Sequence, residues 1–158
     1  MKSSFYKIFS IILIGALIIL VSLQFISRTP TPNQEEMDVK KASSLIKEGK
    51  SSEEIMKGVQ ILKGILKKDP NQLDAIWELG KLSIQSGQYS IAVGRFEKFV
   101  SLTEGAEKVS GLILLSDAYF LDKKRQESLD NLNKALKLNK DSKIETEILE
   151  RINIINKN

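Results

Sequence analysis

From residue 36 onward, apolar side chains recur at i, i+3, i+4 and i+7. That is the period of amphipathic helices, and no convincing strand-like alternation interrupts it. The pattern predicts helices over 36–48, 52–68, 71–86, 88–103, 106–122, 124–138 and 142–155. These make three hairpins and a closing helix, an all-α solenoid over 36–158. Upstream the pattern changes: residues 8–26 carry no charge, and only Ser10, Ser22, Gln24 and the small Gly15 and Ala16 interrupt the large apolar side chains.

At helical rise, residues 8–26 cover about 28 Å, close to the hydrocarbon thickness of a bilayer. Against a buried core helix, the segment is apolar on all faces and longer than the core helices that follow. A cleaved signal peptide would have a shorter apolar core and a small-x-small site, whereas Phe25 and Ile26 stand directly before Ser27. The segment therefore reads as a retained transmembrane anchor. Lys2 and Lys7 precede it and Arg28 alone follows closely, so the positive-inside rule places residues 1–7 in the cytoplasm. The rest would be displayed across a bacterial-type cytoplasmic membrane, in the periplasm or another extracytoplasmic space. Residues 27–35 contain two X-Pro steps without apolar periodicity and read as an extended linker.

Helix punctuation agrees with the division. Ser51 with Glu54, and Ser142 with Glu145, have capping-box spacing. Asp69-Pro70-Asn71 resists continuation of the preceding helix and supplies starting residues for the next. Gly49, Gly87 and Gly105 stand where helices are expected to end.

Within the second hairpin, Leu79, Gly80, Gly87, Tyr89, Ala92 and Phe96 fall at the L-G, G-x-Y, A and F offsets of one tetratricopeptide (TPR) hairpin. The segment resembles that family. The third hairpin is a weaker copy 36 residues later, with Leu115, Tyr119, Leu132 and Ala135 in register, Ser116 and Ser128 at the small positions, and Lys123 at the turn glycine. The first keeps Leu45, Gly58, Leu62, Ile65 and the closing Pro70 at a register of 34, so extra residues are expected near 103–108. Ile144, Ile148, Ile152 and Ile155 form a stripe that would cap the last hairpin, or serve as a dimer or partner surface.

Composition narrows the chemistry. The chain has no cysteine and no histidine, which removes disulfides, thiolate and histidine metal sites, haem attachment and the Ser-His-Asp triad. No cofactor is expected. Net charge is +4, but Lys2, Lys7 and Arg28 are the only charged side chains in residues 1–28, and the remaining 21 basic residues nearly balance 20 acidic ones. That is no footprint for nucleic acid. A carboxylate-based hydrolase needs convergent acids, and Glu145, Glu147 and Glu150 on one terminal helix do not mark such a pocket. Lys123-Lys124-Arg125 reads as a solvated turn. The chain is not expected to be an enzyme, and no small-molecule substrate is expected.

The resemblance implies a membrane-anchored adaptor or scaffold that binds a protein or peptide along the first helices of its hairpins. A narrower alternative is an accessory subunit of cytochrome c maturation presenting apocytochrome. Carrying the family's groove positions onto this sequence selects Lys47, Trp77, Lys81, Ile84, Ile113, Asp117 and Phe120. Trp77, Ile113 and Phe120 would make apolar contacts, and Lys47 and Lys81 would favour an acidic group or a C-terminal carboxylate. The family's tryptophan position is held by Ile76, with Trp77 one residue later. Two readings of Trp77 stand: an aromatic anchor for a peptide, or part of an apolar stripe covered by neighbouring helices.

Overall fold

The computed structural model describes residues 34–157. The chain divides into two compact units, Met1–Met37 and Asp38–Asn158. The anchor expected over 8–26 lies outside the described residues, as does nearly all of the linker. No helix among the described residues is long and apolar enough to cross a membrane. The described chain is helical throughout: α1 Gln34–Glu48, α2 Ser52–Lys68, α3 Leu73–Gln85, α4 Tyr89–Leu102, α5 Gly105–Leu121, α6 Arg125–Leu138 and α7 Ser142–Lys157. Helix α1 starts at Gln34, two residues before the expected start of the helical domain at 36.

Local chemistry explains the boundaries, with some corrections. The Ser51 hydroxyl accepts from the Glu54 N–H at 3.2 Å, while the Glu54 carboxylate reaches back to the Lys50 N–H at 2.7 Å. At α7 the expected cap is displaced by one residue. Asp141, not Ser142, accepts from the Lys143 and Ile144 N–H groups at 2.8 and 3.3 Å, because a carboxylate is a strong acceptor at the positive end of a helix. Helix α3 starts at Leu73 rather than 71. An Asx turn from Asp69 to the Asn71 N–H, 2.9 Å, occupies the earlier position, and the Gln72 side chain caps the Ala75 N–H at 2.6 Å. Gly105 opens α5 instead of closing α4, which stops at Thr103, a residue in extended conformation whose hydroxyl donates back to the Phe99 carbonyl at 2.8 Å. The extra residues of this interval become a helical turn: α5 has 17 residues against 13 in α3.

The two later hairpins share one turn. After α3, the Gly87 N–H bonds to the Ile84 carbonyl and the Gln88 N–H to that of Ser83; after α5, Lys123 and Lys124 repeat both bonds to Phe120 and Tyr119. This helix-ending arrangement requires a left-handed residue, and φ is 73° at Gly87 and 62° at Lys123. A side chain there costs about 1 kcal/mol. Lys123→Gly is accordingly expected to raise stability by about 1 kcal/mol, seen as a higher urea midpoint; an unchanged or lower midpoint contradicts this account of the turn. In the same turn Lys124 pairs with Asp122 at 2.8 Å.

Packing follows the repeat. Three apolar clusters each join three consecutive helices: Val39, Ala42, Leu62, Ile65, Ala75 and Leu79 from α1–α3; Ala92, Val93, Phe96, Leu115 and Ala118 with Trp77 and Ile84 from α3–α5; and Val109, Leu112, Ile113, Leu132, Ala135, Ile148 and Ile155 from α5–α7. No hairpin closes its own core, which is the mark of a solenoid. Ile148 and Ile155 are buried in the last cluster and Ile144 and Ile152 pack against it, so the isoleucine stripe of α7 is a cap.

The degenerate third repeat replaces a close contact with a polar one. Gly80 and Ala92 have Ser116 and Ser128 as their counterparts, and these two fully buried hydroxyls meet at 2.8 Å. Ser116→Ala leaves Ser128 without that partner and is expected to cost about 1–3 kcal/mol, whereas Ser116→Ala with Ser128→Ala should recover much of the loss. A denaturation double-mutant cycle with purely additive costs would show that the pair contributes nothing.

Candidate functional site

Helices α1, α3, α5 and α7 succeed one another along one face: ion pairs join α1 to α3 and α5 to α7, and α3 and α5 line one pocket. Lys47 on α1 lies 3.7 Å from the Glu78 carboxylate on α3. Trp77 on α3 lines a pocket shared with Glu107 and Ser110 of α5. Asp117 on α5 meets Arg151 on α7.

The fates of the selected side chains differ. Ile76, at the family's tryptophan position, is buried at 2% exposure. Trp77 is half-buried. Its ring stands edge-on to Phe96, centroids 5.8 Å apart, and is tilted against Phe99 at 4.8 Å. Both readings of Trp77 thus hold in part: the second helix of its own hairpin packs against the ring, yet the ring also lines an open pocket of about 610 Å³. Ile84 packs into the α3–α5 cluster and Phe120 against the α5–α7 cluster, each half-buried. Ile113 is 7% exposed inside the α5–α7 core and offers packing rather than surface.

The charged members are already engaged. Lys81 Nζ lies 2.8 Å from Glu78 Oε1, the same oxygen that Lys47 approaches, and 6.0 Å from the Trp77 ring centroid. Glu78 therefore offsets one of the two charges that were expected to attract an acidic ligand. It was missed in the sequence, although its i,i+3 spacing to Lys81 signalled a pair. Asp117 accepts from Arg151 Nη1 through both oxygens at 2.8 and 3.0 Å, and Arg151 also donates to Glu147 at 2.9 Å. Burial raises the Asp117 carboxyl above its ordinary pKa; Arg151 opposes the rise and the charge of Glu147 adds to it. Asp117 is held by the cap helix and does not stand ready for a partner.

The pocket at Trp77 has its own chemistry. Trp77, Phe99 and Leu73 supply apolar wall, while Asp69, Asp74 and Glu107 bring three carboxylates, with no basic side chain in the lining. Asp69 comes from the α2–α3 connection and Phe99 from α4, positions that a list of first-helix groove residues does not include. An indole beside carboxylates suits a cationic side chain with an apolar stem.

No protein-family model matches the chain, and no curated protein sequence matches it. Two crystal structures of MamA, a TPR-containing protein, are similar to it in fold. One has a TM-score of 0.60 at 20% identity over 75% of this chain and 62% of that chain; the other has 0.58 at 21% identity over 78% and 63%. This chain thus spans less than two thirds of either MamA chain. At such identity the likeness concerns architecture alone, and it agrees with the hairpin order, the shared turn and the three linked clusters: the described domain is a TPR-like helical repeat.

Proposed function

We propose that the chain is an interaction scaffold, tethered to the cytoplasmic membrane by residues 8–26, that holds a segment of a partner protein against the face of α1, α3 and α5. The observation that carries this reading is the Trp77 pocket: a half-buried indole at about 610 Å³ of open space, lined by Asp69, Asp74 and Glu107. A TPR-like repeat is an architecture of protein-interaction modules, and this pocket supplies the recognition chemistry. Because Glu78 occupies Lys47 and Lys81, the partner group suited to this face is a lysine or arginine laid along Trp77, not the acidic group expected from the lysines alone.

Trp77 is the only tryptophan of the chain, so its emission reports on the pocket directly. Titrating the full chain with arginine-bearing peptides is expected to shift that emission saturably, and Asp74→Lys is expected to weaken binding by about tenfold. Emission indifferent to every basic peptide, with the helical circular dichroism intact, would sink the proposal for this pocket. Protease protection of the domain in sealed inverted vesicles tests the tether and its direction separately.

A further inference from the structure

The second helices of successive hairpins flank a different trough, and its two copies are not alike. Between α2 and α4, over α3, the trough is lined by Met56, Val59, Leu79 and Leu82 among others and holds about 360 Å³. Arg95 reaches from α4 onto its floor: the guanidinium donates to the Leu79 carbonyl of α3 at 2.9 Å and to the Ser83 hydroxyl. Between α4 and α6, over α5, the equivalent trough holds about 640 Å³. The counterpart of Arg95, 36 residues on, is Asn131. Its amide turns back to the Glu127 carbonyl of its own helix at 2.7 Å.

The second trough is therefore left with an apolar floor of Val100, Leu112 and Leu115, and with Leu138, 48% exposed, in its lining. Lys108, Lys134 and Lys137 also line it, and none of the three forms an ion pair with an acid among the described residues. The one carboxylate in the lining, Glu97, accepts the Tyr119 hydroxyl at 2.5 Å. An apolar floor bordered by three lysines and one engaged acid is complementary to an apolar side chain flanked by carboxylates.

We propose that the α4–α5–α6 trough is a second docking site, on a face distinct from the Trp77 pocket, and that it takes an acidic amphipathic segment of a partner protein. A leucine- or phenylalanine-sized side chain seats on Leu112 and Leu115, and aspartates or glutamates beside it meet Lys108, Lys134 and Lys137. The two faces then have opposite charge preference, so one scaffold molecule can hold two chemically different segments at once.

The test uses the full chain and a fluorescein-labelled synthetic peptide with leucines at helical spacing among glutamates, followed by anisotropy. Saturable binding is expected, with affinity reduced about tenfold or more in the Lys134→Glu, Lys137→Glu double variant. The lysine changes are on the surface and leave the core untouched. Three results would each overturn the proposal: no binding, undiminished binding to the lysine double variant, or equal binding of a peptide with serine in place of leucine. A peptide that competes with the arginine-bearing probe at Trp77 would likewise overturn the claim of a separate site.

Discussion

Phe96→Ala is expected to lower the free energy of unfolding by about 3–5 kcal/mol, a large part of what a domain of this size possesses. Phe96 is fully buried and central to the α3–α5 cluster. Its ring lies over Gly80, where a Cβ would come within 2.8 Å of Phe96 Cζ, and Trp77 meets it edge-on. Helix α3 already approaches α4 as closely as the missing Cβ permits, so the backbone has little means of collapsing into the space that alanine leaves. Removing the ring also takes away one of the two aromatic supports of Trp77. Urea denaturation followed by circular dichroism gives the stability change. The same geometry predicts coupling: Gly80→Ala should cost about 1–3 kcal/mol alone by overpacking and much less where Phe96 is already alanine. A loss below about 1 kcal/mol for Phe96→Ala would mean that the core closes over the gap, against the cavity term.

Ending the chain at Asp141 should be comparably damaging. Helix α7 buries Ile148 and Ile155 against Val109, Leu112, Leu132 and Ala135, and burying two isoleucine side chains accounts for about 3–6 kcal/mol. The truncation also strips Arg151 from Asp117, a carboxyl held in a site that already disfavours its charge. The expected result is a lowered urea midpoint, with amide-exchange protection lost first in α5 and α6, since the other clusters do not touch α7. If the shortened chain kept its stability and lost only an oligomeric form, α7 would be a partner surface and not the cap that the packing describes.

The hairpins were legible because helix period, capping residues and turn residues are local: a few neighbouring side chains decide them. Ser51 and Gly87 act where the pattern places them. The misplacements share a cause, since Asp141 outcompetes Ser142 as a cap and Gln72 replaces the Pro70-Asn71 start through acceptors within a residue or two of each other. Local rules rank such neighbours poorly.

Site chemistry was less legible. Lys47 looks free in a linear reading because Glu78, whose pairing with Lys81 is local, joins Lys47 only when α1 and α3 lie side by side. Asp117 looks available until α7 brings Arg151 to it from 34 residues away. The pocket at Trp77 draws Asp69 from a connection, Phe99 from a second helix and Glu107 from the next hairpin, a set that no spacing rule assembles.

The sequence by itself determined the all-α class, each helix to within two residues of its bounds, the repeat register, and the exclusion of thiolate and histidine chemistry, because periodicity and composition need no partner. Tertiary structure alone decided which charges remain unpaired, on which side of the repeat they stand, and that Asn131 leaves open a trough whose floor Arg95 covers one repeat earlier. Ion pairing and burial depend on distances between helices, and those distances are fixed only when the hairpins stack.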